Sequence, residues 1–297
     1  MPRCCVIYNP VAGEGAARAI LSRVLEFLYQ KQGTHEVAVY ATEGNNHATL
    51  LAEKAYKMGH REFLCIGGDG TFNEMCQPLV GRTDMRVSFV ATGTGNDLAR
   101  AFGFSSSFSV QEWENFFDDD AALIDVGKCN ERYFFNMMGI GFDALVASEF
   151  RKWGWIPRRW RYYPPIFKNL LFYQGHPMSI NGNKTTIFLL AVGNGRSSGG
   201  GVQLAPEARL NDGQLDLCWI ENVGIFQRIK NLLATLKGKH TSLPFVHMSR
   251  FQTLSLSSPQ EALTHIDGES FCLSRWEISL VPQALPVFVR KNEAWLI

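Results

Sequence analysis

Short apolar runs alternate with helical patterns over the first 100 residues of the chain. The runs are almost wholly apolar, which predicts buried strands, and they are RCCVIY (3–8), EVAVYA (36–41), FLCI (63–66) and RVSFV (86–90). Helical periodicity fills the intervals: residues 16–31 carry an apolar face, residues 45–59 run from Asn45 as N-cap to Gly59 as stop, and a shorter helix is predicted at 73–80. Strands and helices that alternate through short connections predict a parallel sheet covered on both faces.

The hydrophobic pattern changes after about residue 122, where short β-rich runs are separated by turn residues. This pattern predicts a mainly antiparallel β-sandwich or barrel, interrupted by residues 143–174 and by a helical pattern at 224–238. The runs are LIDVGKC, ERYFFNMMG, TTIFLLAVGN, QLDLCWI, TLSLSS, SFCLSRWEISL and PVFVRK. We therefore predict an α/β plus all-β chain, with a parallel α/β domain at residues 1–122 and an antiparallel β-sandwich domain with helical insertions at 123–287. The tail, residues 288–297, could pack back on the first domain.

Composition and charge restrict the function classes. The formal net charge is +1, so the chain as a whole has no strong attraction for nucleic acid. Its seven cysteines are odd in number and form no CxxC pair, which argues against a disulfide framework or a zinc knuckle and favours a reducing cytoplasm. Neither a secretory signal nor a window of roughly 18 uninterrupted apolar residues is present. The expectation is a soluble protein that at most rests on a membrane surface.

Three glycine-rich turns each follow a predicted strand and precede a helix. They are Asn9–Gly15, Gly67–Thr71 and Thr92–Asp97. The carboxyl ends of parallel strands meet at one edge of a sheet, where ligands of such sheets bind. Glycine lets the backbone approach a phosphate closely, and the exposed N–H groups and helix N-termini favour anions. Asp69 and Asp97 would repel phosphates unless a cation lay between, and Mg²⁺ takes carboxylate, water and phosphate oxygens together.

Ordinary βα turns are the alternative interpretation, with Asp97 as a first-turn acid favoured by the helix dipole. One such turn alone would favour it, but three turns in register on successive strands make it a poor account. Several known nucleotide motifs are excluded by the sequence. GxxxxGK[ST] is absent, the residues after Gly13-Glu14-Gly15 do not complete GxGxxG, and the protein-kinase catalytic set is missing.

The motifs resemble those of the diacylglycerol kinase catalytic family, the soluble bacterial lipid kinases that include relatives of the sphingosine kinases. The matching segments occur in family order and span nearly the whole chain: NPVAG (9–13), GGDGTFNE (67–74), GTGNDLAR (93–100), LNDGQLDL (210–217) and HIDGES (265–270). The resemblance implies an α/β nucleotide-binding domain followed by a β-sandwich lipid-substrate domain. It also implies that ATP is bound by Asn9, Pro10, Val11, Ala12, Gly13, Thr42, Gly67, Gly68, Asp69, Gly70, Thr71, Phe72, Asn73 and Thr94.

The resemblance further implies the catalytic and metal-binding residues. Asp69, Asp97 and Asp125 match the aspartates that hold the catalytic Mg²⁺ through water. Glu269 matches the base that receives the hydroxyl proton, and Asp267 is a weaker candidate for that role. For Asp125 the alternative is a solvated strand-end acid, and for Asp267–Glu269 it is a surface hairpin, since Asp-Gly favours tight turns.

A second, structural Mg²⁺ is implied at the Asn211-Asp212-Gly213 turn. By position its ligands would be the Asp212 carboxylate and the carbonyl groups of Arg209 and Gln214. The sequence of this turn equally predicts a hairpin, and both interpretations can hold together because a metal can stabilise a turn.

Residues 150–173 form the most unusual stretch of the second half. Between 151 and 168 there are six Lys or Arg residues, six aromatic residues and no acid. Tryptophan with arginine suits a membrane–water interface, whereas the alternative is a helical insertion that packs its aromatic residues on the sandwich. A second apolar set lines either an acyl-chain pocket or the plain core: Phe102, Phe104, Phe134, Phe135, Met137, Met138 and Phe142.

Together these features predict an ATP- and Mg²⁺-dependent lipid kinase that transfers the γ-phosphate to a hydroxyl of an acceptor such as diacylglycerol. Its lipid substrate would be met at a membrane surface, on the inner face, with no nucleic-acid partner and no transmembrane segment. The alternatives are a kinase of a soluble substrate, of NAD-kinase type, and a catalytically silent protein that binds nucleotide and membrane. The acceptor and the oligomeric state stay open, with a homodimer as one option.

Overall fold

The computed structural model describes residues 3–32, 37–93, 95–104, 121–153, 155–156 and 163–289. The chain divides into two compact units. Unit 1 comprises Met1–Val126 together with Pro282–Ile297, and unit 2 is Gly127–Val281. Among the described residues no helix is both long and apolar enough to cross a membrane.

Unit 1 is an α/β layer structure around a parallel sheet. Its elements are β1 (Arg3–Tyr8), α1 (Ala16–Gln32), β2 (Val37–Ala41), α2 (His47–Lys57), β3 (His60–Gly67), α3 (Asp69–Cys76), β4 (Arg86–Ala91) and α4 (Asp97–Ala101). The strands pair in the order β2-β1-β3-β4, all parallel. Strand β3 is buried from Phe63 onward, as expected for a strand covered on both faces.

The last strand of the described residues pairs with the sheet of unit 1. Strand β15 (Glu269–Val287) begins in unit 2 and ends beside β4, where Val287 is paired in parallel with Val87. The Ala284 carbonyl accepts a hydrogen bond from the Gly81 N–H at 2.7 Å, and the Phe288 N–H donates to the Val87 carbonyl at 2.8 Å. Residues from the far end of the sequence therefore belong to the core of unit 1.

Unit 2 is built mainly from antiparallel strands with helical insertions. After β5 (Ala122–Cys129), which enters it from unit 1, its elements are β6 (Arg132–Phe134), β7 (Met137–Gly141), α5 (Phe142–Glu149), α6 (Tyr163–Phe172), β8 (His176–Ile180), β9 (Asn183–Gly193), β10 (Ser197–Ser198), β11 (Val202–Gln203), β12 (Leu215–Glu221), α7 (Ile225–Thr235), β13 (Val246–Phe251) and β14 (Thr253–Ile266). Pairing runs β13-β12-β9-β7-β14-β15, with β8 against β9 and β14.

Two hydrophobic clusters lie on opposite faces of the strands in unit 2. One surrounds the fully buried Trp276, and the other includes Phe142 and Leu170 from the helical insertions. Along β9 the side chains alternate between them, with Leu190 in the first cluster and Ala191 in the second. The α/β plus β architecture predicted from the sequence is confirmed at this level.

Three local predictions differ from the structure. Helix α2 begins at His47, because Asn46 before it adopts a left-handed conformation with φ 61°, so Asn45 is not the cap. Helix α3 begins at Asp69 rather than Asn73, directly on the glycine turn. The run SFCLSRWEISL and the first two residues of PVFVRK belong to one 19-residue strand, β15, which continues through Pro282 to Val287.

Candidate functional site

The three glycine-rich turns of unit 1 meet at one edge of its sheet. The Asn9 N–H donates to the Ile66 carbonyl at 2.9 Å, and the Thr92 N–H donates to the Gly67 carbonyl at 2.7 Å. The Asn9 side-chain amide also donates to Thr71 Oγ1 at 3.3 Å. The turns after β1, β3 and β4 are thus held together by hydrogen bonds between their backbones and side chains.

Two glycines permit this close approach. A Cβ atom on Gly93 would lie 2.9 Å from the Cα atom of Gly68, closer than such contacts allow. Gly13 has φ 63°, and a Cβ atom there would lie 2.5 Å from the Thr92 carbonyl oxygen. Larger residues at either position would force the turns apart, so the glycines serve the packing of backbone against backbone.

The other predicted ATP-binding residues divide into exposed and buried positions. Val11 is exposed at the outside of the first turn, and its N–H donates to Asn9 Oδ1 at 3.1 Å. Phe72 is fully buried and packs against Phe89, with ring centroids 4.8 Å apart. Thr42 is buried at the end of β2, where its N–H donates to the Tyr8 carbonyl at 2.9 Å. Thr94 lies outside the described residues.

Asp69 and Asp97 lie on neighbouring turns and contact each other through the backbone. The Asp69 carboxylate accepts hydrogen bonds from the N–H groups of Asp97 at 3.2 Å and Leu98 at 3.4 Å. The Asp97 carboxylate is buried and forms an ion pair with Arg100 at 2.5 Å. Both carboxylates therefore lie at the edge where the glycine turns converge.

Two buried oxygen atoms on the turn after β4 have no hydrogen-bond partner within the described part of the chain. They are Thr92 Oγ1 and Asn96 Oδ1, and Asn96, with φ 50°, directly precedes Asp97. A buried polar atom without a partner costs about 1–3 kcal/mol, so such atoms call for an explanation. Carboxylate, hydroxyl and amide oxygen atoms on these turns are ligands of the kind that Mg²⁺ and its bound water prefer, so the residues present fit a hydrated magnesium ion with phosphate.

Asp125 lies on β5 within unit 1 and is almost fully buried. Its Oδ1 accepts a hydrogen bond from the Gln283 N–H at 2.8 Å. Gln283 has φ 48°, an unfavourable conformation for a residue with a side chain, and this bond supports it. Asp125 is therefore a buried, hydrogen-bonded group rather than a solvated strand-end acid.

Glu269 follows a two-residue hairpin turn in unit 2. Ile266 is paired with Glu269 across the hairpin, while Asp267 and Gly268 have φ values of 44° and 87°. Glu269 Oε2 accepts a hydrogen bond from Arg132 Nη1 at 3.0 Å, and the side chain of Glu269 is 34% exposed. The predicted hairpin is present, and it presents a partly exposed carboxylate oriented by an arginine.

Asp267 is held by the backbone of the segment between β6 and β7. Its Oδ2 accepts the N–H of Phe135 at 2.7 Å, and its Oδ1 accepts the N–H groups of Asn136 and Met137 at 3.1 and 2.8 Å. Three such bonds give this carboxylate a structural role, since they join the hairpin turn to the segment that links β6 and β7.

A buried histidine–aspartate pair precedes the same turn. His265 Nε2 lies 2.6 Å from Asp143 Oδ2, and a Cβ atom on Gly139 would collide with both side chains. Burial disfavours the charged imidazole, but the Asp143 carboxylate outweighs that effect and raises the pKa of His265. Sequence reasoning did not pair these residues, which lie 122 positions apart; the glycine inside a strand was the one available signal.

The Asp212 turn lies in unit 2 immediately before β12. Asp212 Oδ1 accepts the Gln214 N–H at 3.1 Å, and Gln252 donates to the Gly213 carbonyl at 3.0 Å. The turn does not join two paired strands, because β12 pairs with β9 and β13. Across the described residues of the whole chain, no group of three or more His, Cys, Asp or Glu side chains could hold a metal ion directly.

The segment predicted to touch a membrane is described only in part. Trp153 and Trp155 have ring centroids 6.0 Å apart, and Trp155 is exposed. Arg158 and Arg159 lie outside the described residues. The apolar set proposed for an acyl pocket or core is buried throughout: Phe102, Phe104, Phe134, Phe135, Met137, Met138 and Phe142.

Comparisons with known proteins point to one family along the chain. Residues 3–129 match the model of the diacylglycerol kinase catalytic domain, and residues 136–289 match that of the YegS C-terminal NAD kinase beta sandwich-like domain. The second match covers more than half of the 297 residues.

Relatives and solved structures agree over most of the chain. A diacylglycerol kinase of Mycobacterium tuberculosis is 29% identical over 289 residues, covering 94% of this chain and 92% of the relative. One from Staphylococcus haemolyticus is 29% identical over 284 residues, covering 91% and 83%. A solved structure of a diacylglycerol kinase from Bacillus anthracis has a TM-score of 0.74 at 20% identity and covers 97% of each chain, which supports the same fold.

Proposed function

Because the chain belongs to the diacylglycerol kinase catalytic family, we propose that it transfers the γ-phosphate of ATP to the hydroxyl group of a lipid acceptor such as diacylglycerol. The observation that carries this proposal is the convergence of three glycine-rich turns at the Asp69 and Asp97 carboxylates. Phosphoryl transfer requires mainly positioning and charge stabilisation, which such an edge is suited to supply.

The ATP phosphates are bound by the turns after β1, β3 and β4. Gly70 has open space where a Cβ atom would lie, and the first turn of α3 directs N–H groups outward, which favours an anion. Thr71 contributes a hydroxyl group, while buried Phe72 and Asn73 contribute backbone groups. The full set is Asn9, Pro10, Val11, Ala12, Gly13, Thr42, Gly67, Gly68, Asp69, Gly70, Thr71, Phe72, Asn73 and Thr94.

Asp69, Asp97 and Asp125 hold the catalytic Mg²⁺ through water in this proposal. The ion neutralises charge on the phosphates when bound. Indirect ligation suits carboxylates that already accept hydrogen bonds from neighbouring N–H groups. Asp212, with the carbonyl groups of Arg209 and Gln214, holds the structural Mg²⁺.

Glu269 accepts the proton of the acceptor hydroxyl group. Its carboxylate is partly exposed and pairs with Arg132 at 3.0 Å, which orients it. Asp267 is the poorer candidate because three backbone N–H groups already donate to its carboxylate. We therefore assign the base to Glu269 and a supporting role to Asp267.

Labelled ATP incubated with a total lipid extract and Mg²⁺ tests the function and identifies the acceptor. The expected result is a labelled phospholipid, identified by mass, that requires vesicles or detergent and disappears when EDTA removes the metal. Labelling of a water-soluble product without any lipid would instead indicate a kinase of the NAD-kinase type. ATP binding without turnover on any lipid alcohol would overturn the enzyme assignment and leave a nucleotide-binding protein.

A further inference from the structure

Helix α7 buries polar residues and exposes apolar ones. Its buried side chains are Arg228, Asn231 and Thr235. The exposed large apolar residues at this helix and its C-terminal cap lie at intervals of three or four positions and therefore share one face: Phe226, Ile229, Leu233 and Leu236. Phe226 is 86% exposed and Leu233 is 59% exposed. Ile225 and Leu232 pack partly buried against the core, as in an ordinary surface helix, and the exposed stripe is additional to them.

The buried polar face fixes the rotation of this helix. Arg228 donates to the carbonyl oxygens of Val223 and Leu170, both at 2.9 Å, and to Asn222 Oδ1 at 2.8 Å. Its guanidinium also lies 4.8 Å from the centre of the Phe188 ring. Turning the apolar stripe inward would break all of these bonds and bury an unpaired charge, so the stripe is held toward solvent.

The neighbouring helix α6 adds to the exposed apolar surface. Arg228 joins the two helices through the Leu170 carbonyl. Exposed apolar side chains on α6 are Tyr163, Phe167, Leu171 and Phe172, the last 71% exposed. We call the exposed apolar residues of α6 and of α7 with its cap the docking face. Contiguous apolar exposure of this kind marks a site of interaction.

Positive charge accompanies the docking face. Residues 222–260 contain five Lys or Arg residues and no Asp or Glu, and Lys230, Lys237 and Lys239 on or just after α7 are exposed. Unit 2 as a whole has 17 Lys and Arg residues against 11 Asp and Glu residues, a formal charge of +6. Unit 1 has 12 against 17, a formal charge of −5, so the overall charge of +1 conceals a basic unit 2.

We infer that the docking face binds the surface of an anionic lipid bilayer, with its aliphatic and aromatic side chains in the interface and its lysines at the headgroups. Amphipathic helices with lysine beside an apolar face lie in the membrane interface in this way, and each basic residue near an anionic leaflet contributes about 1 kcal/mol. This inference rests on the proposed function, because a lipid acceptor lies in a bilayer. It deepens that function by naming the surface that binds the bilayer.

The charge distribution distinguishes this occupant from others. A second copy that used the same face would bring two units of +6 together, and like charges oppose such contact. A nucleic acid would engage the lysines but offers no partner for Ile229, Leu233 and Leu236, since base stacking uses aromatic side chains. An anionic bilayer satisfies both the lysines and the aliphatic residues.

Vesicle sedimentation tests the inference without any need for turnover. The full chain is mixed with phosphatidylcholine vesicles that contain or lack phosphatidylglycerol, and bound and free protein are separated. The test variant is F226S/L233S, and its matched control is L50S/M58S in unit 1, where Leu50 is 63% exposed and Met58 is 48% exposed. Phe226, Leu233 and Leu50 are mostly in solvent and Met58 is about half exposed, so both variants leave the buried core unchanged.

The wild-type protein and L50S/M58S should bind the anionic vesicles equally, and F226S/L233S should bind at least about tenfold more weakly. K230E/K237E should weaken binding to the anionic vesicles alone. Equal binding of F226S/L233S and wild type, or no wild-type binding, would overturn the inference. Light scattering adds a third adverse outcome: a wild-type dimer that F226S/L233S converts to monomer would assign the face to a second copy.

Activity on a dispersed short-chain diacylglycerol distinguishes a failure of this inference from a failure of the proposed function. F226S/L233S should phosphorylate that substrate at the wild-type rate while losing activity on vesicles. If neither protein phosphorylates it but the vesicle binding behaves as expected, the docking face stands and the proposed reaction fails.

Discussion

The turn that contains Asp69 and the turn that contains Asp267 share an Asp-Gly sequence but use the aspartate differently. Asp69 opens a helix and accepts N–H groups from another turn at 3.2 and 3.4 Å, and that other turn carries buried oxygen atoms without partners among the described residues. Asp267 lies in a hairpin turn with φ 44° and accepts three N–H groups at 2.7–3.1 Å. The same dipeptide thus fits ligand binding in one unit and backbone support in the other.

The neighbours of a carboxylate therefore indicate its role better than its sequence motif does. At the Asp267 turn we propose that the chemistry belongs to the next acid, Glu269, which pairs with Arg132 at 3.0 Å. At the Asp69 turn the aspartate itself contacts the turn that carries the unsatisfied oxygen atoms. Four sets of variants test whether the carboxylates of the two turns differ in this way.

Replacing Glu269 by Gln should give the largest effect. The variant keeps the size of the side chain but cannot accept a proton, so kcat should fall by about 10²- to 10⁴-fold. Steady-state kinetics with the lipid acceptor measures this, and E261Q, an exposed acid on β14, is the control. Wild-type kcat in E269Q would remove Glu269 from the mechanism.

Replacing Asp69 by Asn should lower kcat by about 10²- to 10³-fold, the usual result of removing one electrostatic group from a reacting site. The amide oxygen of Asn can still accept an N–H group, so the unfolding midpoint should change little. Asp84, which pairs with Arg61 at the surface of unit 1, supplies the control D84N. A large loss of stability with normal kcat would make Asp69 a structural residue like Asp267.

Replacing Asp267 by Ala should mainly reduce stability. Three backbone N–H groups lose their acceptor, which should lower the free energy of unfolding by roughly 2–4 kcal/mol. Urea denaturation in metal-free buffer measures the change. D212A is the matched control, because Asp212 precedes glycine in another turn and accepts the Gln214 N–H, so its loss should be clearly smaller. An unchanged midpoint in D267A would contradict the supporting role.

The smallest effect concerns the His265–Asp143 pair ahead of the Asp267 turn. Burial opposes the charge on His265, but Asp143 raises its pKa above the ordinary value of 6.5. The pair therefore stabilises the fold fully below about pH 6.5 and loses this contribution as pH rises through the raised folded-state pKa. The contribution of the pair to the urea midpoint should therefore be largest at pH 6 and smaller at pH 7 and 8.

The variant D143N isolates that contribution. Burial lowers the pKa of His176 and of His240, so these residues destabilise the fold as pH falls, in the wild type and the variant alike. The difference between the two proteins should therefore shrink as pH rises. A difference that does not change with pH would show that the pair stays in one protonation state.

The sequence predicted the parallel strands β1–β4 well because nearly continuous apolar runs ended at glycine turns. It did not predict that β15 runs on past Pro282, since proline usually ends a central strand. The structure accommodates Pro282 where the strand passes from unit 2 to unit 1, next to Gln283 with φ 48°. The hydrogen bond from Gln283 to Asp125 accompanies that passage.

The sequence alone could not predict which distant residues contact each other in the candidate site. The backbone partners of Asp267 lie about 130 positions away, at Phe135–Met137. A helical period at 224–238 predicted α7 but not which face is buried, because Arg228 finds its partners in α6 and in the residues before α7. Periodicity reports that two faces differ, and only the packed structure says which one faces outward.

The closing strand of unit 1 bears on how the chain is made. Ala284, Val287 and Phe288 hold the edge of the sheet at β4, and the Phe288 ring stacks on Phe104 at 5.4 Å. A ribosome makes these residues after the whole of unit 2, so unit 1 cannot complete its sheet until unit 2 has been synthesised. Until then the open edge of β4 can pair with other nascent chains, and the polypeptide is a candidate for binding by chaperones during that interval.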